Sequence, residues 1–62
     1  MKIGDQVKTP RFLNVRIAEV FESEGAARKE GFTEPTHFDS PDYEIHGKFA
    51  GINRMIFAAV KR

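Results

Sequence analysis

His37, Asp39, Asp42 and His46 fall within ten positions and are the one cluster of metal-ligand types in the sequence. Two imidazoles and two carboxylates have the donors for a divalent ion, yet their spacing matches no ligand motif. His46 also sits in an alternating run that turns it onto the polar face of a sheet, away from any loop-built site. Local loop hydrogen bonds for His37 and Asp39 and solvent for His46 are the expectation, with no metal and no cofactor. Nucleophilic catalysis has as little to use. There is no cysteine, Ser23 and Ser40 are the only serines, and Ser23 is better placed as a helix cap. Glu22, Glu24 and Glu44 offer carboxylates, but a surface this charged brings such pairs together without catalytic purpose. The five glycines are scattered, so no phosphate loop is present. The chain is expected not to be an enzyme.

What remains is the chemistry of a surface. In residues 43–61, YEIHGKFAGINRMIFAAVK, Tyr43, Ile45 and Phe49 alternate with Glu44, His46 and Lys48. That is the pattern of a half-buried strand, and it is read as an edge strand. After Ala50-Gly51-Ile52-Asn53, where Gly and Asn can supply the positive φ of a tight turn, Arg54 opens a run of apolar residues from Met55 to Val60. A run with no polar side predicts a strand at the centre of a sheet. On the sheet face away from the helix, Arg16, His46, Lys48 and Arg54 would rim an apolar stripe that includes Met55 and Phe57. These six are the candidate binding residues. A protein partner, including a second copy of the chain as a homodimer, is expected first. Nucleic acid, with Phe57 stacking a base between cations, is the alternative. No membrane partner is expected.

The elements that must position these residues can be read in order. Met1 to Thr9 reads as a short strand with a bend at Gly4-Asp5, ended by Pro10. From Leu13, a second strand sets Leu13, Val15, Ile17 and Phe21 on one side and Asn14, Arg16, Ala18 and Glu22 on the other, with Glu19 and Val20 breaking the alternation. Ser23 stands where an N-cap should, and a helix is predicted over Glu24 to Glu30, with Arg28 and Lys29 in its last turn. Gly31 would close it in a left-handed conformation and lay Phe32 back against Ala27. Ala26, Ala27 and Phe32 make a thin apolar face, so so short a helix depends on docking to the sheet. Residues 33–42, with Pro35, Ser40 and Pro41, read as an ordered loop anchored by Phe38.

A right-handed crossover through the helix would leave the second strand and the Tyr43 strand parallel, with the last strand between them and antiparallel to both. The expected fold is α+β, a mainly antiparallel sheet of three or four strands with one short helix on one face, in the order β-β-α-β-β with the last strand central. One helix covers only part of one face. The apolar set on the other face, drawn from Met55, Phe57 and Ala59 or from Ile56, Ala58 and Val60, then needs Phe12, Phe38 or a second copy over it.

A chain of 62 residues makes one domain with a small core. The lack of cysteine suits a reducing compartment, and Lys2, Asp5, Lys8, Arg11 and Arg16 interrupt the first twenty residues too often for a signal peptide, so the cytoplasm is expected. The net charge of +1 is strongly segregated: residues 1–18 carry +3, residues 19–44 carry −6 and residues 45–62 carry +4.

The runs Phe21-Glu22-Ser23-Glu24, Ala27-Arg28-Lys29 and Gly31 to Phe38, followed by Gly47-Lys48 and Asn53-Arg54-Met55, resemble a class of very short uncharacterised bacterial proteins of gut Firmicutes and their mobile elements. That resemblance implies no activity and no site residues. Gly4-Asp5-Gln6-Val7 also resembles the opening strand of SH3-like barrels, which makes such a small barrel the alternative fold.

Overall fold

The computed structural model describes residues 1–36 and 40–62. Strands β1 (Gln6–Thr9), β2 (Leu13–Phe21), β3 (Glu34–Pro35), β4 (Tyr43–Gly51) and β5 (Arg54–Lys61) accompany one helix, α1 (Glu24–Lys29). They build a single mixed sheet in the order β1-β2-β5-β4-β3. The fold is thus α+β with one more strand than the sequence suggests. β1 and β3 remain as edges, so the sheet is not the closed barrel of the SH3-like alternative. No helix among the described residues is long and apolar enough to cross a membrane.

The last strand is central, as its two-sided apolar run requires, and Phe57 to Val60 are all buried. Its direction differs from the expectation. β5 is antiparallel to β4 but parallel to β2. The reason is length: α1 has six residues and rises about 9 Å, whereas the nine residues of β2 span about 30 Å. So short a helix does not carry the chain back to the start of β2. β3, antiparallel to β4, then takes the chain back up, so β4 begins level with the end of β2 and runs down, and β5 returns between them, parallel to β2.

Two further departures come from backbone detail. The register of β2 against β5 shifts between Ile17 and Glu19. This bulge explains why Glu19 and Val20 break the sequence alternation, and it moves Phe21 to the helix side, opposite to Ile17. Within the stretch read as a loop, Glu34 and Pro35 pair with Gly47 and His46. Proline is tolerated there because β3 is an edge. β4 is therefore not the edge strand its alternation suggests. Thr36 follows, fully buried, with its amide and its hydroxyl both donating to the carbonyl of Ile45 at 3.1 Å. Phe38, the expected anchor, lies outside the described residues, as do His37 and Asp39.

The helix forms for the reasons legible in the sequence. The amide of Ala26 donates to Ser23 Oγ at 3.2 Å, and Arg28 bonds Glu24 across one turn. At the other end Glu30 is the C-cap, and Gly31 follows with φ of 94°. The amide of Phe32 donates to the Ala27 carbonyl and that of Gly31 to the Arg28 carbonyl, both at 3.0 Å, which is a Schellman closure. Ala27 and Phe32 are buried, while Ala26 is exposed. Gly31→Ala is expected to lower stability by about 1 kcal/mol, through the left-handed backbone and through a Cβ 3.3 Å from Lys48 Cδ. A thermal melt unchanged from that of the parent chain would refute this.

The sheet carries apolar residues on both faces. On the helix side, Ala27 and Phe32 pack with Ala58 and Val60, joined by Phe21 and Ile56. On the other side Val15, Ile17, Ile45, Phe57 and Ala59 form the larger cluster, flanked by Met1, Val7, Phe12, Val20, Tyr43 and Met55. Part of the second face is covered by the chain itself. Phe12 lies over Phe57, ring centroids 5.1 Å apart and tilted by 56°, which leaves Phe57 8% exposed. Phe12 thus supplies from within the chain the cover that Phe57 needs, while Leu13 and Phe49 stay exposed on the same face.

Candidate functional site

The parallel ladder between β2 and β5 begins only at Ile17 opposite Phe57. Before that point residues 13–16 pair with β1 alone, while Arg54 to Ile56 pair with β4 alone. The two strands part, and a cleft of about 840 Å³ opens between them. It runs through the sheet, so side chains of both faces line it: Phe12, Met55 and Phe57 from one, Arg16, Arg54 and Ile56 from the other.

The backbone along this cleft is unusual in its availability. The amide of Ile17 donates to the Asp5 carbonyl and its carbonyl accepts from the Gly4 amide, both at 2.8 Å, so both groups turn toward β1. Backbone groups alternate sides along a strand, so the amide and carbonyl of Asn14 turn the other way, into the cleft. With the groups of Ile17 engaged, Phe57 pairs across the ladder through its own amide and carbonyl. Met55, two residues earlier, points its groups the same way, and the cleft thus has a donor and acceptor on each wall.

The rim of the cleft is strained. Thr9 and Leu13 are opposed across the three-residue connection Pro10 to Phe12, and Leu13 takes the left-handed conformation, φ 61°, that glycine usually fills in such a turn. Thr9 Oγ1 accepts from the Phe12 amide at 3.1 Å and donates to the Leu13 carbonyl at 3.2 Å, which locks the turn and aims Phe12 at Phe57. Leucine is a costly choice there, and it has no packing reason, since Leu13 is 67% exposed. Ile3, Phe49 and Ile52 are exposed as well.

Of the six residues singled out in the sequence, Arg16, Arg54, Met55 and Phe57 line this cleft. His46 and Lys48 do not, and together with Arg16 they lie on the helix side of the sheet. The register shows why: His46 is opposite Ala58 and Lys48 opposite Ile56, both of which face the helix. Lys48 Nζ donates to the Glu30 carbonyl at 3.0 Å and lies 5.3 Å from the centre of the Phe32 ring. It helps to dock the helix rather than to rim an open face. Phe57, buried under Phe12, offers no flat platform for a base.

His46 departs furthest from expectation, for it is 3% exposed and neither ring nitrogen has a hydrogen-bond partner among the described residues. Glu44 Oε1 approaches Nε2 at 3.6 Å, close enough for an ion pair but too far for a hydrogen bond. β3 adds a strand beside it, with Pro35 opposite His46. An imidazole always carries a donor or an acceptor on each nitrogen, and leaving such groups unpaired costs about 1–3 kcal/mol. His46→Leu is therefore expected to raise stability by about 1 kcal/mol, read from the urea midpoint at constant slope. A loss of similar size would mean that the imidazole has a partner.

No group of three or more His, Asp or Glu able to hold a metal occurs among the described residues. His37 and Asp39, two members of the cluster of residues 37–46, lie outside them. Nothing in the sequence alternation reveals the cleft; its one signal is Pro10-Arg11-Phe12-Leu13, a turn with a bulky residue where glycine belongs. Compared with known proteins, the chain matches no family model, no curated protein and no solved structure.

Proposed function

We propose that this protein is a non-catalytic interaction module that binds a protein partner at the end of the sheet where β2 and β5 part. The observation that carries this reading is the ladder that begins at Ile17 and Phe57 and leaves apolar walls with available backbone groups beyond it. A gap in a sheet edged by donors and acceptors is the raw material of strand addition, in which main-chain hydrogen bonds supply affinity and side-chain pockets supply specificity. A volume of this size is also within the range of pockets that bury a ligand. The module acts in a bacterial cytoplasm, a placement supported by the absence of cysteine and by the resemblance of its helix and hairpin segments to short bacterial proteins.

A peptide-display selection on the purified protein tests this reading. Enriched peptides should bind the parent chain and lose binding to Asn14→Trp, which fills the cleft from an exposed position, while retaining it with Lys29→Trp on the helix. Failure to enrich, or equal binding to Asn14→Trp, would overturn the reading.

A further inference from the structure

We infer that the segment the cleft receives is an extended, acidic one: a strand of a partner protein with carboxylates flanking a bulky apolar side chain. This rests on the proposed function and names the chemistry of its partner. Arg16 and Arg54 line the cleft, and the guanidinium of Arg11 lies 5.0 Å over the ring of Phe12 on one wall. Among the described residues no carboxylate lines it. The acids of the chain are concentrated in residues 19–44, which begin in the part of β2 beyond the cleft. Phe57 and Met55 line the cleft from one face and Arg16 and Arg54 from the other, so an inserted strand, whose side chains alternate, would turn an apolar side chain to the first pair and acidic ones to the second.

The backbone chooses between the possible anions. The cleft presents carbonyl acceptors as well as amide donors, on Asn14 and on Met55. A peptide main chain answers both in alternation, whereas a phosphodiester has no donor for the carbonyls. A second copy meeting the cleft with its own cleft would set Arg16 and Arg54 against their equivalents, an arrangement disfavoured by like charge.

The test uses defined synthetic peptides and amide chemical-shift mapping of the labelled full chain. A peptide with a Val-Phe-Val centre and paired flanking glutamates should shift the amides of Asn14, Arg16 and Met55. Its counterpart with lysines in place of the glutamates should bind about tenfold more weakly or not at all, and Arg16→Glu/Arg54→Glu should reverse that order. Methylating alternate peptide amides should abolish binding of the glutamate peptide. Equal binding of both peptides at these amides would overturn the acidic preference while leaving the cleft as an interaction site. Undiminished binding of the methylated peptide would overturn strand pairing. No shift from either peptide would overturn the use of the cleft itself, and tighter binding of an oligothymidylate at the same amides would overturn the inference in favour of nucleic acid.

Discussion

Phe57→Ala is expected to remove most of the stability of this domain. The ring is the middle of the larger cluster: Phe12 packs on it at 5.1 Å, Ile17 stands beside it on the parallel strand, and Gly47 lies across from it on the antiparallel one. Truncating a buried phenylalanine costs about 3–5 kcal/mol, from lost transfer energy and from the cavity that incomplete collapse leaves. At roughly 0.05–0.15 kcal/mol per residue, a chain of 62 residues has on the order of 3–9 kcal/mol in total. The variant should therefore show a urea midpoint near zero or no cooperative thermal transition. Phe49→Ala is the matched control. Phe49 is exposed, and its loss should stay within about 0.5 kcal/mol. A Phe57→Ala melt within a few degrees of the parent would mean that Phe12 and Met55 can close the space.

Gly47→Val has the next largest expected effect, for the opposite reason. A Cβ at Gly47 would sit 2.6 Å from Met55 Cε and 3.2 Å from Phe57 Cε1. The methionine end can swing away, but the Phe57 ring is held by Phe12 and cannot. Overpacking of this kind costs about 1–3 kcal/mol, and the second branch of valine places it at the upper end. Gly47→Ala should lose less, since its lone Cβ asks Met55 to swing away but the Phe57 ring to give by only a few tenths of an ångström, and alanine restores some strand preference. The ordering is the check: in urea titrations the valine variant should be weaker than the alanine variant, and alanine weaker than the parent. Stabilisation by valine, the better strand former, would show that the space over Gly47 is open.

Much of the fold was legible because local signals agreed. Ser23, Arg28, Lys29, Gly31 and Phe32 all marked the same helix, and the unbroken run from Met55 to Val60 required a central strand. Direction was not legible, since it depended on how far a six-residue helix carries the chain rather than on any residue type. Sidedness failed for a single reason as well. One bulge after Ile17 put Phe21 on the other face, and counting by twos cannot see an inserted residue. Of the candidate site, Arg16, Arg54, Met55 and Phe57 lie together, yet what gathers them is a ladder that stops early. His46 looked solvated because β4 was read as an edge, and the strand beside it, β3, is two residues long and contains a proline, below what a strand pattern can register.

The late start of the β2–β5 ladder also bears on how the chain folds. The β4–β5 hairpin joins neighbours through a two-residue turn and can form alone within microseconds. Pairing Ile17 with Phe57 must instead close a loop over most of the chain, which delays it until the hairpin and helix exist. The capture of β2 by the hairpin edge is therefore the expected slow step, and the ladder ends where the strands part. The cleft is in that sense an unfinished piece of the folding reaction: the edge of β5 that pairs with β2 from Phe57 onward is left without that partner from Arg54 to Ile56.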